Sequence, residues 1–323
     1  MNMRKIKRHS IDQSQFYKLR SFKKLAKILN TSPEALSNLL SKGDDNYYES
    51  SVSMGKGKRN IQVPLPQLRR LHNRIQVLLS RIIKPEYLYS SVKKLSNVDN
   101  CANHKDNNFL CKADLAAYYQ STSSTRVFKA FVNIFKMEAD IAKVITRLCT
   151  FKEYVPTGSP ISHDVAFYAN LNVFNQVDTF CKKRGVSFSL YVDDLTFSSK
   201  TVINRKFMDR IIQIFKKNTD YEIHKIRHYG KDKAKPVTGA VLIDNKLVVP
   251  LKQKKLIHNK IDYKNYLLNL KPQDETKLMK TYQSLIGLVS SASQISPKYS
   301  ILTKQLVQER RTNNIPAMNQ NNS

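Results

Sequence analysis

The segment Val186-Ser-Phe-Ser-Leu-Tyr-Val-Asp-Asp-Leu-Thr-Phe-Ser198 decides the fold. Val186, Phe188, Leu190 and Val192 alternate with Ser187, Ser189 and Tyr191, the two-residue beat of a half-buried strand. The beat resumes at Leu195 and Phe197, so the sequence predicts a β-hairpin with Asp193-Asp194 at its tip. Adjacent carboxylates between apolar strands repel each other unless a cation lies between them. An ordinary polar turn is the competing reading, since Asp is a common turn residue.

Upstream, Phe109-Leu-Cys-Lys-Ala-Asp-Leu-Ala-Ala-Tyr-Tyr119 reads as an apolar strand ending in Asp114. One carboxylate at a strand end and a pair on a hairpin can converge on two hard cations. That layout suits in-line phosphoryl transfer, in which one ion activates the attacking hydroxyl and the other holds the leaving oxygen. Tyr191-Val192-Asp193-Asp194 resembles the signature hairpin of reverse transcriptases, and Asp114 with Tyr118-Tyr119 resembles their first palm motif. The fold that this resemblance implies is α+β, a right-hand polymerase with fingers, a palm of antiparallel sheet and helices, and a helical thumb.

The totals agree with a nucleic-acid partner. The 323 residues carry 55 Lys+Arg against 25 Asp+Glu, a formal charge of +30, and 41% are hydrophobic. That is enough apolar content for a folded core, and the charge excess points to a polyanion. The basic residues run the whole length rather than lining one amphipathic helix, which argues against a membrane surface. No apolar run approaches a membrane span, and Met1-Asn-Met-Arg-Lys-Ile-Lys-Arg8 lacks the apolar core of a signal peptide. Cys101, Cys111, Cys149 and Cys181 form no C-x-x-C pair and have no His at zinc spacing, so they read as reduced, buried thiols of a cytoplasmic protein.

Along the chain, residues 21–43 predict two short helices, the second capped by Thr31-Ser-Pro-Glu34 and ending near Gly43. The pair either packs on its neighbours or reads DNA as a helix-turn-helix. Lys56-Gly-Lys-Arg-Asn-Ile-Gln-Val-Pro64 reads as a basic turn feeding a short extended segment, and a helix follows from Pro66 to about Ile83. Two helices are expected within 125–150, then a turn at Val155-Pro-Thr-Gly-Ser-Pro160 and one long helix through Val165 to Phe180. Tyr221 to His228 reads as a cationic strand, and residues 236–250 as a hairpin turning at Asp244-Asn245. Residues 251–311 read as helical, with Leu256 among the buried positions and Gly287 a sign of close packing. The division expected is an N-terminal helical extension (1–50), fingers and palm (51–235), palm-edge hairpin and helical thumb (236–311) and a polar, disordered tail (312–323).

Within the reverse transcriptases the chain is most similar to retron enzymes. Asn100-Cys-Ala-Asn-His104 resembles their Asn and His four apart, with Cys101 where the family places Ala, and Val237-Thr238-Gly239 matches a tripeptide typical of them. The resemblance implies that Asp114, Asp193 and Asp194, with the Leu115 carbonyl, hold two Mg2+ ions. It implies that Lys56 and Arg59 grip the incoming dNTP and that Tyr119 lies under its sugar and rejects a 2′-hydroxyl. Thr157 and Gly158 fall in the loop that supports template and nucleotide, Thr157 standing where the family has Gln. Lys225 and Arg227 fall where the family places a lysine for the departing pyrophosphate.

Asn100, His104 and the Val237-Thr238-Gly239 segment would recognise a structured non-coding RNA, which the enzyme copies into single-stranded DNA branched from that RNA. An effector or toxin protein acting in phage defence is a further implied partner, and the length leaves no room for an RNase H or endonuclease domain. Two other readings stand: a catalytically silent RNA-binding scaffold, and a reverse transcriptase of intron, diversity-generating or abortive-infection type.

Overall fold

The computed structural model describes residues 8–54, 57–270, 274–313 and 315–316. The described residues fall into two compact units, one from Met1–Leu95, Cys111–Phe197 and Ile203–Arg227, the other from Ser96–Leu110, Ser198–Val202 and His228–Ser323.

The first unit begins with α1 (Phe22–Ile28) and α2 (Pro33–Lys42). Each is started by a serine: Ser21 accepts from the Lys24 N–H and Ser32 from the Ala35 N–H, with Pro33 in the first turn of α2. Leu25, Ala26, Leu36 and Leu39 bury one face of this pair in the same apolar cluster as Phe131, Phe174, Leu190 and Phe197. The short extended segment expected after the basic turn is longer than the sequence suggested and forms half of a ribbon. β1 (Tyr47–Met54) and β2 (Gly57–Pro64) pair antiparallel over eight residues each, Val52 facing Arg59 and Tyr47 facing Pro64. The first half of β2 is exposed, so it carries no apolar alternation to read until Ile61. α3 (Pro66–Ser80) buries Leu68, Leu71, Ile75, Leu78 and Leu79 as its periodicity requires.

α4 (Asn97–Ala102) opens the stretch of the second unit that precedes β3 (Phe109–Leu115). α5 (Ser124–Asn133) and α6 (Ala139–Cys149) are the two expected helices. The long helix expected next is broken into α7 (Ser162–Ala169) and α8 (Leu171–Lys182). Asn170 leaves helical geometry at φ −119°, and its side chain donates to the Ala166 carbonyl and the Tyr221 hydroxyl while accepting from Arg126 Nε. The break is made by these polar bonds, and the apolar spacing runs through it undisturbed. β4 (Ser187–Tyr191), β5 (Asp194–Ser199), α9 (Arg205–Asn218) and β6 (Ile223–Tyr229) follow, and the sheet runs in the order β4–β5–β3–β6.

In the second unit, β7 (Lys235–Val237), β8 (Ala240–Ile243) and β9 (Lys246–Val248) form a three-stranded antiparallel sheet. Asp244 and Asn245 make the expected turn, both at positive φ, as a two-residue hairpin of the I′ kind requires. Three helices, α10 (Leu251–Asn269), α11 (Glu275–Ser293) and α12 (Lys298–Thr312), bury Ile257, Leu278, Tyr282, Leu285, Val289 and Leu306 together. Two details differ from the sequence reading. Leu256 is 42% exposed and Ile257 takes the core position beside it, a shift of one residue. Gly287 has no neighbour within 4 Å of where a Cβ would stand, so close packing is not what keeps it small. Ile315 packs into the helical core, while 314 and 317–323 of the expected tail lie outside the described residues. All four cysteines are buried, as expected, and none forms a disulfide among the described residues.

Candidate active site

β4 and β5 leave Val192 and Asp193 as a two-residue turn with Val192 at φ 59°. A single positive φ at the first turn position belongs to the II′ hairpin, where Gly is the usual occupant. A β-branched residue there costs about 1–3 kcal/mol and persists where its surroundings hold it. β4 is held from outside by the segment after α3: the Leu190 N–H donates to the Tyr87 carbonyl (2.7 Å) and the Tyr89 N–H to the Leu190 carbonyl (3.0 Å). On the other side, the Leu115 N–H donates to the Asp193 carbonyl (3.1 Å), fastening the turn to the end of β3. That bond brings Asp114 beside the Asp193-Asp194 pair.

The three carboxylates sense one another. Burial pushes Asp193 above the usual carboxylate range, and the charges of Asp114 and Asp194 add to it while Arg59 opposes it. Asp194 is also raised, first by burial, with Asp114 adding and Lys112 and Lys225 opposing. Asp114 goes the other way. Burial alone would raise it, but hydrogen bonds from Lys225 Nζ (2.6 Å) and His224 Nε2 (2.8 Å), both to Oδ2, hold it below its ordinary value. Neighbouring residues of a regular strand point to opposite faces, so two of them cannot reach one oxygen without a local break. Lys225 at φ 52° supplies that break. His224 is thus a site residue that the sequence reading passed over inside a strand noted only for its charge.

A cluster of mutually repelling, partly desolvated carboxylates fits a divalent cation, and here the Lys225 ammonium and His224 ring stand in for one on Asp114. Among the described residues no three His, Cys, Asp or Glu side chains stand close enough to enclose an ion in this conformation. A cleft of about 760 Å³, lined in part by Arg8, Lys93 and Lys94, includes none of the three carboxylates.

Other expected site residues gather nearby to different degrees. Tyr119 is half-buried, and its hydroxyl is pushed up to about 12 by burial and by Asp193, with Arg59 opposing. Arg59 therefore stands within electrostatic reach of both Tyr119 and Asp193, as a group facing the same space would. Lys56 lies outside the described residues. Thr157 turns onto β2, its hydroxyl donating to the Asn60 carbonyl and Gln62 Oε1 (3.3 and 3.2 Å). The Gly158 N–H donates to the Gln62 carbonyl, and a Cβ there would stand 2.6 Å from that oxygen. The loop's observed partner is thus the ribbon, and the glycine is what allows the approach. Arg227 is exposed on β6 and has no described contact with the carboxylates.

In the second unit the expected RNA-recognition residues meet one another. Thr238 and Gly239 form a two-residue turn at φ 42° and 90°, closing β7 onto β8. Asn97 Nδ2 donates to the Thr238 carbonyl (2.7 Å), Thr238 Oγ1 donates to the Asn97 carbonyl (2.8 Å), and Asn100 Nδ2 donates to Thr238 Oγ1 (3.1 Å). Ser96 and Asp99 form a capping box at the start of α4, which fixes where Asn97 and Asn100 point. His104 is buried against Ser198 Oγ (2.6 Å), and burial drops its ring to about 3, so it is neutral. Asn100, His104 and Val237 are interior, and the surface they leave is Thr238, half-buried, and Gly239, exposed.

No protein-family model matches the chain. It is 26% identical over 176 residues to the retron Se72 reverse transcriptase of Salmonella heidelberg (strain 579083-10), a match covering 52% of this chain and 45% of that one. It is 25% identical over 247 residues to the retron Ec86 reverse transcriptase of Escherichia coli, covering 74% and 76%. The chain is similar in sequence to the retron reverse transcriptases. The match spans about half the length of the Se72 relative, and 65% of the retron Ec83 reverse transcriptase of Escherichia coli at 23% identity. Among solved structures, the chain matches a telomerase from Candida albicans in complex with a fragment of telomeric RNA, at 11% identity and a TM-score of 0.46 over 83% of this chain and 60% of that one. The described residues mix helices with antiparallel sheet, in keeping with the α+β class expected from the sequence. Among the described residues no helix is long and apolar enough to cross a membrane.

Proposed function

We propose that the chain is an RNA-directed DNA polymerase that copies a structured non-coding RNA into DNA at the Asp114–Asp193–Asp194 cluster. The observation that carries the reading is the fastening of the Asp193 turn to the end of β3, which collects carboxylates from distant parts of the chain beside one another. Asp114 and Asp193 would hold two Mg2+ ions, with the Leu115 carbonyl as a further ligand and Asp194 at the edge. Bound there, the ions would lower the pKa of the attacking hydroxyl and neutralise the triphosphate. The hydroxyl oxygen of the growing strand bonds to the α-phosphorus of a dNTP, the bond to the β-phosphate oxygen breaks, and pyrophosphate leaves.

The residues of the chain bind and orient. Arg59 offers a planar pair of donors to the triphosphate, and Lys56 is proposed beside it. Tyr119 closes the space under the sugar and excludes a 2′-hydroxyl. Lys225, released from Asp114 as the ions bind, is placed to follow the departing phosphates, and Arg227 extends the same cationic strand. The Asn100–Thr238 contact would present the β7–β8 turn to the RNA by shape and phosphate contact. The first nucleotide is proposed to join a 2′-hydroxyl of that RNA, giving a branched product, and the system to serve in phage defence in the cytoplasm with an effector protein.

The Asp193→Asn variant tests the core of this. RNA binding should stay within about twofold while DNA synthesis on the copurified RNA disappears. Synthesis that survives the substitution sinks the reading, and a parent protein that binds RNA without synthesis would make it a scaffold.

A further inference from the structure

The catalytic hairpin is strained at Val192, and one side chain from outside the hairpin touches that residue's backbone. The Val192 N–H donates to Ser90 Oγ at 2.8 Å. Ser90 is 3% exposed and lies in the segment whose neighbours Tyr87 and Tyr89 are bonded to Leu190 of β4. Its hydroxyl is itself held by the ring of His163, 3.2 Å from Nε2, on α7. Burial lowers the His163 pKa, so the ring is neutral, and its Nδ1 is buried with no hydrogen-bond partner among the described residues. A serine hydroxyl has two lone pairs and one proton, so it can serve the amide and the ring together.

We infer that Ser90, steadied by His163, is a positioning residue that holds the Val192 turn in its left-handed conformation and so sets the direction of the Asp193 carboxylate. The argument is one of alternatives. At φ 59° a valine would relax toward the extended region if nothing opposed it, and its N–H would swing with the peptide that joins it to Tyr191. The bond to Ser90 opposes that swing at the residue where the strain sits, one position before Asp193. Relaxation would also leave a partly buried amide without this partner, which adds to the resistance. Neither Ser90 nor His163 has a described contact with a carboxylate of the site, so both act through the turn.

The inference rests on the polymerase reading for its kinetic consequence but not for its structural one, and the experiment separates the two. Ser90→Ala, Ser90→Thr, Val192→Gly and the Ser90→Ala/Val192→Gly pair are made in the full chain and checked for an unchanged thermal midpoint. Mn2+ affinity is measured by calorimetry without substrate, and kcat and KM for dNTP on the copurified RNA. Ser90→Ala should weaken Mn2+ binding several-fold and lower kcat about tenfold with KM within twofold. Ser90→Thr keeps the hydroxyl and should stay within threefold of the parent. Glycine adopts the turn conformation without strain, so Ser90→Ala in the Gly background should cost less than threefold.

Parent-like Mn2+ affinity in Ser90→Ala overturns the inference, and so does an equal loss in both backgrounds, because the serine would then act elsewhere than on the turn. If the parent makes no DNA, the polymerase reading fails, while the Mn2+ cycle still decides the role of Ser90.

Discussion

Replacing Lys225 with Gln should tighten divalent-ion binding while slowing synthesis. The Lys225 ammonium lies 2.6 Å from Asp114 Oδ2, and any ion claiming that oxygen must displace it. The Lys225 side chain is 63% exposed and Asp114 only 18%, so the pair is closer to a surface bridge than to a buried one. Such bridges are worth about 0.2–1 kcal/mol. Taking the upper half of that range, about 0.5–1 kcal/mol, the closed pair is favoured about 2- to 5-fold, and removing it should raise apparent ion affinity about 3- to 6-fold. His224 remains on the same oxygen, which keeps the gain modest. Titration of the free protein with Mn2+ in a calorimeter gives the affinity, and single-turnover synthesis gives the rate. An unchanged or weaker affinity in Lys225→Gln would show that the lysine helps assemble the ion site, and the competition argument would be wrong.

Other outcomes follow from particular contacts. Gly158→Ala drives a Cβ to 2.6 Å from the Gln62 carbonyl, and the backbone there cannot yield without parting the loop from the ribbon. We expect a loss of about 1–3 kcal/mol in chemical denaturation and a raised KM for dNTP. Tyr119→Val should admit ribonucleotides, read as the ratio of kcat/KM for dNTP and NTP, which should fall at least tenfold. Thr238→Val removes the hydroxyl shared by Asn97 and Asn100, and RNA affinity should fall several-fold in a filter-binding assay while Mn2+ affinity holds.

Acid should unfold the protein early. Burial depresses His72 to about 4 and His104 to about 3 from an ordinary 6.5. Both rings are therefore neutral when folded and gain protons on unfolding. Their contribution to stability is complete above about pH 6.5 and is lost as the pH falls toward 4. For His72 the full span is on the order of 3 kcal/mol. His72→Gln should flatten the urea-midpoint profile between pH 6.5 and 4.5, and an unchanged slope would place the acid sensitivity elsewhere.

The hairpin, the Asp114 strand and most helices of both units, though not α4, were legible because each announces itself in apolar spacing, a cap or a turn pair. What stayed hidden was fixed by polar bonds between distant segments. The break at Asn170 leaves the apolar rhythm of α7 and α8 intact. The β1–β2 ribbon is largely exposed and so lacks a core face to read. Asn100 and the Val237 tripeptide were each visible as short resemblances, but no spacing could say that they touch, since the contact spans 138 residues. His224 and Ser90 gave no signal of their own; an alternating cationic strand and a serine pair in a loop look the same whether or not a carboxylate or a strained amide lies opposite.

The positions where local rules fail share a feature that a sequence cannot display. Val192, Lys225 and Thr238 all sit at positive φ without being glycine, and each stands at a place where a functional group is being aimed. At Val192 the twist sets the Asp193 turn, at Lys225 it brings two hydrogen-bond donors to one oxygen, and at Thr238 it closes the turn that Asn97 and Asn100 grip. A glycine would adopt any of these conformations more cheaply, but it would adopt others as readily. A strained side chain held by a specific bond has one favoured geometry, and it springs away when the bond is cut. On that reasoning, glycine at each of the three should stabilise or leave unchanged the folded chain while loosening the function it serves: Mn2+ affinity at 192, ion competition at 225 and RNA affinity at 238.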